Sequence, residues 1–416
     1  MAFTYGLIGR PLEHSFSPQL HKMLGDYSYE LRPLEPDQLE NFLLHESFLG
    51  VNVTIPYKKA VIPYCARLTE RAQAIGSVNT LVRQPDGSLL GDNTDLYGLQ
   101  FLARQTGVET RGKKVLILGS GGASLTAQAA ARLSGAREIV VVSRQGPETY
   151  ENLAQRHLDA QVLINATPVG MYPHAGQMAA DPAAFPALEG ALDLIYNPLR
   201  SAFVQSAQAM GVPAQGGLAM LAAQAKAAAE VFTGRPIGEE KAEQLCAALL
   251  KQRRNIALVG MPGAGKTTVG ALLAQAMGRP FIDLDQQIEQ EAGMSIPQIF
   301  ERRGEAYFRD LEAEMTARAS AQTGCVVAAG GGAVLRPENR FALRQNSFVL
   351  WLQRDLDQLA TQGRPLSAGG TAALARMLEQ RGPLYQQTAD CALRALNGPE
   401  QTAQAILEVF YETACR

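Results

Sequence analysis

Short apolar segments alternate with longer helical patterns along the whole 416-residue chain. Most of these segments end in glycine or in a polar residue, and a stretch with aliphatic residues at helical spacing then follows. They lie at Thr4–Gly9, Lys114–Leu118, Glu138–Val142, Val162–Asn165, Asn255–Val259, Val326–Ala329 and Ser347–Leu352. Because strands that alternate with helices form parallel sheets covered on both faces, the pattern predicts an α/β fold.

A chain of this length is expected to hold two or three domains. The best boundary is Lys251–Asn255, where an Ala/Leu-rich helix ends in a basic, polar stretch and a new strand begins. Within the first half, Gly91–Gly107 is expected to carry the chain from one lobe to the next. The predicted divisions are a lobe at 1–96 completed by helices within 217–250, a second lobe at 97–216, and a further domain at 254–416.

Charge and cysteine content narrow the class of function. The formal net charge is −2, so nothing global attracts nucleic acid or an anionic membrane surface. The five cysteines are scattered, which favours a reducing compartment and argues against a zinc site or a disulfide framework. Apolar runs are far shorter than a membrane span. We therefore expect a cytoplasmic protein that acts on small molecules, without nucleic-acid or membrane partners, as a monomer or homodimer.

The most specific motif is a glycine-rich loop at Gly260–Thr267, which follows a predicted strand and precedes a helix at Thr268–Met277. The GxxxxGK[ST] spacing in this context is typical of a nucleotide-binding phosphate loop. Backbone N–H groups would surround the phosphates, Lys266 would reach the β- and γ-phosphates, and Thr267 would offer a hydroxyl to Mg²⁺. The predicted nucleotide contacts are Gly263, Ala264, Gly265, Lys266, Thr267 and Thr268.

Residues downstream of this loop offer groups for a phosphate acceptor. Asp283 and Asp285 lie at a predicted strand end, where they would share one face; one could complete the Mg²⁺ site and the other could hold an acceptor hydroxyl. Arg309 and Glu312 would be neighbours on a helix, for which a surface ion pair is the alternative interpretation. Three glycines at 330–332 follow an apolar strand and indicate close approach of the backbone to a ligand.

Together with Arg364 and Arg381, these motifs resemble shikimate kinase, a small P-loop phosphotransferase with a parallel sheet, from Asn255 to about Phe410. The resemblance implies that two arginines clamp the shikimate carboxylate and that Arg364 belongs to a lid over the phosphates. The implied shikimate contacts are Asp285, Arg309, Gly331 and Arg381.

The same resemblance implies how phosphoryl transfer would work. Lys266, Arg364 and a Mg²⁺ ion at Thr267 and Asp283 would neutralise the transferring group, while Asp285 orients or deprotonates the attacking hydroxyl. At Asp357 the chain departs from the family, which often carries an adenine-packing arginine about seven residues before the lid arginine.

A second glycine turn, at Gly119–Ser124, lies between the predicted strand Lys114–Leu118 and a helix. Its GxGxxS spacing is a loose form of the dinucleotide fingerprint. The next strand ends in Ser143-Arg144 rather than in an acid, which favours NADP over NAD, although Glu148 follows closely. The predicted cofactor contacts are Gly119, Ser120, Gly121, Gly122, Ala123, Ser143 and Arg144.

Polar clusters in the first quarter of the chain offer hydroxyl, amide, ammonium and carboxylate groups. Each cluster alone is more typical of a turn or a helix cap than of catalysis. Together they suit a polyhydroxylated acid. The residues concerned are Ser15, Ser17, Thr54, Lys58, Asn79 and Asp95, of which Thr54 and Lys58 are expected at a strand end.

The surrounding motifs resemble shikimate dehydrogenase over Phe3–Leu250: Ser-x-Ser-Pro, Asn-Val-Thr-x-Pro-x-Lys, Val-Asn-Thr, Asn-Thr-Asp and Asn-Ala-Thr-Pro-Val-Gly-Met. The resemblance implies an α/β substrate lobe and a Rossmann-like NADP lobe. It also implies that Lys58, paired with Asp95, is the acid/base at the C3 oxygen; Lys59 falls one register out on a strand. The implied ligand contacts are Ser15, Ser17, Thr54, Asn79, Asp95, Tyr196 and Gln224 for the substrate and Gly217 for the cofactor.

The two resemblances share an intermediate, because the hydroxyl made by the first reaction is the one phosphorylated by the second. The sequence therefore predicts a bifunctional enzyme that makes shikimate 3-phosphate from 3-dehydroshikimate, NADPH and ATP. Two alternatives stay open. The first half could be a quinate/shikimate dehydrogenase that uses NAD, or one half could be a non-catalytic binding or regulatory module.

Overall fold

A computed structural model describes residues 4–12, 15–359 and 370–413 of the protein. The chain divides into two units, Met1–Cys246 and Ala247–Arg416. Both are built from sheets with helices packed against them, which confirms the predicted α/β class.

The first unit begins with a six-stranded sheet in the order β2-β1-β3-β5-β6-β4. Its elements are β1 (Tyr5–Gly9), α1 (Ser17–Lys22), β2 (Tyr29–Pro33), α2 (Leu39–His45), β3 (Gly50–Val53), β4 (Arg67–Leu68), α3 (Glu70–Ile75), β5 (Thr80–Arg83) and β6 (Leu89–Asp92). The alternation of elements predicted parallel sheets, but β5 runs antiparallel to both β3 and β6. A short turn at 84–88 joins β5 to β6, which leaves no room for the crossover helix that a parallel pair needs.

The same unit continues into a five-stranded parallel sheet in the order β11-β10-β9-β7-β8. Its elements are α4 (Asp95–Thr106), β7 (Lys114–Leu118), α5 (Gly122–Leu133), β8 (Glu138–Val142), α6 (Leu153–Arg156), β9 (Val162–Asn165), β10 (Gly190–Asp193), α7 (Ala202–Ala209) and β11 (Ala214–Gln215). Because β8 and β9 flank β7 on opposite sides, a crevice forms at the carboxyl ends of β7 and β9.

Two helices complete the first unit after β11: α8 (Leu218–Thr233) and α9 (Glu240–Arg253), which extends past the boundary between the units. Helix α8 is rich in alanine, which has the highest helix propensity. The small alanine side chain also lets another helix approach closely. Helix α8 packs tightly on α4, since a β-carbon placed at Gly98 would lie only 2.6 Å from the carbonyl oxygen of Met220. This contact brings α8 beside the helix that begins at Asp95.

The second unit holds a five-stranded parallel sheet in the order β13-β14-β12-β15-β16. Its elements are β12 (Asn255–Val259), α10 (Lys266–Met277), β13 (Phe281–Asp283), α11 (Leu284–Ala292), α12 (Ile296–Ala321), β14 (Val326–Ala328), α13 (Pro337–Asn346), β15 (Ser347–Gln353), α14 (Gly370–Thr388), β16 (Cys391–Arg394) and α15 (Pro399–Thr413). Alternate residues of β12 enter different apolar clusters, Ile256 and Leu258 in one and Ala257 and Val259 in the other. Both faces of the sheet are therefore covered, as predicted for β12.

Among the residues that the structure describes, no helix is both long enough and apolar enough to cross a bilayer.

Candidate active sites

Lys58 and Asp95 form a close ion pair in the first unit. The Nζ atom of Lys58 lies 2.6 Å from Oδ2 of Asp95, whose side chain is only 3% exposed at the start of α4. Lys58 was expected on a strand, but β3 ends at Val53 and Lys58 lies in the turn that follows. Pro56 within this segment has no N–H to donate to a sheet, so the strand does not continue. The neighbouring Lys59 is exposed.

The amide of Asn79 holds the second oxygen of Asp95. Its Oδ1 accepts hydrogen bonds from the backbone N–H of Thr94 at 2.7 Å and from the hydroxyl of Thr80 at 3.0 Å. Since both contacts come from donors, the amide nitrogen must point the other way, where it donates to Oδ1 of Asp95 at 2.8 Å. The carboxylate is thus fixed at both oxygens.

Polar contacts that sequence reasoning missed connect this pair with the serine loop. Asn52 donates to the hydroxyl of Thr80 at 3.1 Å and accepts from the hydroxyl of Tyr29 at 2.8 Å. Burial raises the pKa of Tyr29, and a hydrogen bond with Ser17 opposes that shift. Ser15 in turn donates to Ser17 at 3.1 Å. The signal available in the sequence was an asparagine between the two valines of β3.

The remaining predicted substrate residues lie around this network. Tyr196 packs its ring 5.3 Å from that of Phe16, between the two serines, and burial raises the pKa of its hydroxyl so that it stays neutral. Gln224 of α8 packs against Gly98 of α4, where a β-carbon at Gly98 would lie 3.2 Å from its own. Gly98 is three residues after Asp95, so Gln224 packs against α4 about one helical turn after Asp95. Thr54 packs its methyl group over Gly9.

The glycine turn after β7 lies against Lys58. Gly121 caps α5, and Gly122 is its first residue. A β-carbon placed at Gly122 would lie 3.5 Å from Cδ of Lys58 and 3.5 Å from the hydroxyl oxygen of Ser77. A cofactor bound on this turn would therefore reach the ion pair. Within the turn Ser120 is exposed and Ala123 is partly buried, while Gly119 packs against Thr167.

The end of β8 presents one exposed cation. Ser143 is buried and donates to the carbonyl of Gln145 at 2.8 Å, whereas Arg144 is exposed and available to a 2′-phosphate. Glu148 contacts Arg156 at 2.8 Å and His157 at 3.0 Å, so Arg156 compensates its charge. The expected repulsion of a 2′-phosphate by Glu148 is accordingly weakened.

Gly217, a predicted cofactor contact, caps α8 in a crowded position. A β-carbon there would lie 2.4 Å from the carbonyl oxygen of Leu194, and its N–H donates to the carbonyl of Ile195 at 2.8 Å. Close packing of the backbone accounts for the glycine, and its role toward a cofactor stays a prediction.

The phosphate loop of the second unit has the expected form. Gly263 and Gly265 have φ values of 83° and 95°, which L side chains rarely adopt, and Gly265 caps α10. Nζ of Lys266 donates to the carbonyls of Gly260 at 2.9 Å and Met261 at 3.0 Å, so the ammonium lies within the loop. Ala264 is buried, whereas Thr268 is exposed.

Thr267 and Asp283 form the predicted metal-binding pair. The hydroxyl of Thr267 donates to Oδ2 of Asp283 at 2.6 Å. Oδ1 of Asp283 caps α11 by accepting from the N–H groups of Asp285 at 3.0 Å and Gln286 at 3.2 Å. Mg²⁺ takes few protein ligands beside waters and phosphate oxygens, so a hydroxyl and a carboxylate next to the loop fit it. No group of three or more His, Cys, Asp or Glu ligands occurs among the described residues.

Asp285 was expected on a strand together with Asp283, and this interpretation was wrong. The strand ends at Asp283, whose side chain starts a helix, and Asp285 lies in the first turn of α11. Its carboxylate nevertheless faces the glycines at 330–332, since a β-carbon at Gly330 would lie 2.8 Å from Oδ1 of Asp285.

Arg309 and Glu312 also lie against the glycines at 330–332, and they form a buried pair rather than a surface pair. Their side chains are 9% and 1% exposed, with Nη1 of Arg309 2.7 Å from Oε2 of Glu312. A β-carbon at Gly330 would lie 2.9 Å from Oε1 of Glu312, and one at Gly332 would lie 2.3 Å from Arg309. Burial raises the pKa of Glu312, while Arg309 opposes the shift. Sequence reasoning gave Glu312 no role toward a ligand.

Arg381, Tyr385 and Trp351 complete this site. Nη1 of Arg381 donates to the carbonyl of Gly331 at 3.0 Å, and the hydroxyl of Tyr385 donates to the same oxygen at 2.5 Å. Trp351, the only tryptophan of the chain, stacks on Tyr385 with ring centroids 5.7 Å apart. Its Cδ1 would lie 3.5 Å from a β-carbon at Gly260, so Trp351 lies between the phosphate loop and Tyr385, which contacts Gly331. Arg364, the predicted lid residue, lies outside the described residues.

Replacement of Glu312 by glutamine is expected to raise the KM of the phosphate acceptor about tenfold with little change in the KM of ATP, because the buried guanidinium of Arg309 loses its counter-charge. Steady-state kinetics of phosphorylation measure both constants. The matched control is Glu305→Gln, which removes the other contact of Arg309, at 3.1 Å from a 57% exposed side chain. Equal effects of the two variants on the KM of the acceptor would contradict a specific role of Glu312 in supporting Arg309.

Two family models match the chain. The model described as shikimate dehydrogenase substrate binding domain matches residues 7–81, and the model described as shikimate kinase matches residues 262–411. The first range contains the serine loop and Lys58, and the second contains Asp285 and Arg309.

Curated relatives match more than half of the chain. A shikimate dehydrogenase (NADP(+)) of Oleidesulfovibrio alaskensis is 38% identical over 269 residues, which cover 59% of this chain and 95% of the relative. A protein of the same name from Geobacillus kaustophilus is 36% identical over 280 residues, which cover 61% of this chain and 100% of the relative.

Solved structures agree with this similarity. A chorismate mutase/shikimate 5-dehydrogenase fusion protein from Clostridium acetobutylicum has a TM-score of 0.56 at 32% identity and covers 60% of this chain and 97% of its own. Shikimate 5-dehydrogenase of Thermus thermophilus, solved with NADP(H) and shikimate, has a TM-score of 0.52 at 31% identity and covers 59% of this chain and 99% of its own.

Proposed function

The chain belongs to the shikimate dehydrogenase family and carries a shikimate kinase domain after it, and from this premise we propose that it catalyses two consecutive reactions. The first is the reduction of 3-dehydroshikimate to shikimate with NADPH. The second is the phosphorylation of the new 3-hydroxyl with ATP and Mg²⁺. The observation that carries the first assignment is that Lys58, which is paired with Asp95, packs against the glycine turn at Gly122.

In the proposed reduction, NADPH when bound supplies a hydride. Charge then develops on the ketone oxygen, where the ammonium of Lys58 stabilises it and donates a proton. Asp95, held by Asn79, keeps that ammonium in place. Ser15, Ser17, Thr54, Tyr196 and Gln224 are the groups that we assign to the carboxylate and hydroxyls of the substrate.

In the proposed phosphorylation, the chain mainly positions groups and neutralises charge. Lys266 and the N–H groups at the start of α10 bind the phosphates, and Thr267 with Asp283 would hold Mg²⁺, which shields the phosphate oxygens. Asp285 orients the attacking hydroxyl. Arg309 and Arg381 pair with the shikimate carboxylate, which suits the planar fork of guanidinium.

The test is product analysis of the purified full chain. With 3-dehydroshikimate, NADPH, ATP and Mg²⁺ together, we expect shikimate 3-phosphate; without ATP we expect shikimate, and without NADPH no product. Conversion that stops at shikimate when ATP is present would reject the kinase assignment and leave the dehydrogenase intact.

Two narrower points belong to the same proposal. We assign NADP rather than NAD because Arg144 is exposed at the end of β8 and Arg156 compensates Glu148. Kinetics with shikimate and quinate, each with both dinucleotides, test this assignment, and a higher kcat/KM for quinate with NAD would overturn it. We place the enzyme in the cytoplasm on the basis of its scattered cysteines.

A further inference from the structure

Arg354 lies next to the phosphate loop, where no motif predicted a contact. Strand β15 pairs with β12 so that Trp351 faces Val259, the residue before the loop. The chain therefore leaves β15 beside the loop, and a β-carbon at Gly260 would lie 2.5 Å from the carbonyl oxygen of Leu352. Arg354 is the first residue after β15, and its Nη1 would lie 3.8 Å from a β-carbon at Gly265.

The guanidinium of Arg354 has no counter-charge among the described residues. Its Nε atom is buried without a hydrogen-bond partner, and the side chain is partly buried. The adjacent carboxylate, Asp355, instead pairs with Arg394 on β16. A buried guanidinium nitrogen without an acceptor is unfavourable, so the placement of Arg354 beside a loop of phosphate-binding form indicates an anionic ligand.

We propose that Arg354 is a nucleotide-binding residue that pairs with the phosphate chain of ATP at the start of α10. The inference rests on the proposed kinase function and adds to it a contact that the phosphate-loop motif does not contain. Lys266 approaches the phosphates from the carbonyls of Gly260 and Met261, whereas Arg354 approaches from the side of Gly265. Planar, bidentate pairing with phosphate oxygens is the chemistry for which arginine is suited.

The test compares the full-length chain with Arg354→Gln and Arg354→Lys by calorimetric titration of ADP and of inorganic pyrophosphate. We expect Arg354→Gln to weaken both ligands about tenfold, and the lysine variant to recover part of the loss, because it keeps the charge without the fork. In phosphorylation assays the KM of ATP should rise by a similar factor, with the KM of shikimate within about twofold. Thermal unfolding like that of the unaltered chain verifies that the variants are folded.

The matched control is Arg318→Gln. Arg318 is 56% exposed and pairs with Glu291 and Glu314 near the end of α12, which leads to Gln322 beside Asn255 at the start of β12. The substitution Arg318→Gln thus removes one positive charge at the opposite end of the sheet. It should leave the affinities for ADP and for pyrophosphate unchanged. Equal weakening by Arg318→Gln would reduce the effect to net charge and overturn the proposal.

Other outcomes also decide. Unchanged ADP affinity in Arg354→Gln would overturn the proposal. Weaker ADP binding with unchanged pyrophosphate binding would place the guanidinium at the nucleoside and overturn the phosphate assignment. If the unaltered chain binds ADP but does not phosphorylate shikimate, the proposed kinase function fails while the titrations still test Arg354.

Discussion

Replacement of Lys58 by methionine is expected to lower kcat/KM for the reduction of 3-dehydroshikimate by about two to four orders of magnitude. Methionine keeps a long, unbranched side chain in the turn after β3 but removes the only group of the Lys58–Asp95 pair that can donate a proton to the developing oxyanion. Binding of NADPH, measured by calorimetry, should change little. Phosphorylation of added shikimate by the same variant should also stay near its original rate.

Lys59→Met is the matched control for this experiment. Lys59 adjoins Lys58 in the sequence and is exposed, so its loss removes the same charge without touching the ion pair. We expect reduction within about twofold of the unaltered chain, as for a typical surface substitution. If Lys58→Met retained full reduction, or if both variants lost it equally, the acid/base role of Lys58 would have to be abandoned.

Replacement of Lys266 by methionine is expected to lower kcat/KM for phosphorylation by about two to three orders of magnitude, which is the scale of losing one charged group aimed at the transition state. The ammonium lies inside the loop, held by two carbonyls, and methionine cannot replace its charge. Reduction of 3-dehydroshikimate should be unchanged, so one preparation serves as its own control for folding of the first unit.

Lys251→Met controls for loss of a lysine in the second unit. Lys251 is the other lysine of that unit, and its ammonium lies over the ring of Tyr411 rather than in the phosphate loop. Phosphorylation by this variant should stay within about twofold. If Lys266→Met phosphorylated shikimate at the full rate, the proposed role of the phosphate loop in phosphoryl transfer would be wrong, whatever the result for Lys251→Met.

Features set by local sequence could be predicted well. The strand Asn255–Val259 was predicted with its observed bounds, because an apolar run followed by the GxxxxGK[ST] motif requires few distant contacts to be recognised. The strands of the second sheet at 114–118, 138–142 and 162–165 were equally clear. The ion pair of Lys58 with Asp95 could be expected from a family resemblance, although not from spacing, since 37 residues separate the two.

Features that depend on tertiary contacts were missed or misplaced. Asp285 was assigned to a strand because it continues the pattern of strand β13. The side chain of Asp283 instead caps a helix that starts at the next residue, and the pattern of apolar and polar residues does not show this cap. The pair Arg309–Glu312 reads as an exposed helix pair, and only the packing of α12 under the glycines at 330–332 buries it. Arg354 has no motif at all, and its place beside Gly265 follows from the pairing of β15 with β12.

The position of Trp351 has a practical consequence. Because the chain has one tryptophan, excitation near 295 nm selects a single indole, which belongs to the second unit and lies between Gly260 of the phosphate loop and Tyr385 beside Gly331. Its emission should respond to a ligand on either side of this ring, without a label. The kinase half therefore carries an intrinsic fluorescent probe, and the dehydrogenase half, which has none, is silent at the same wavelength.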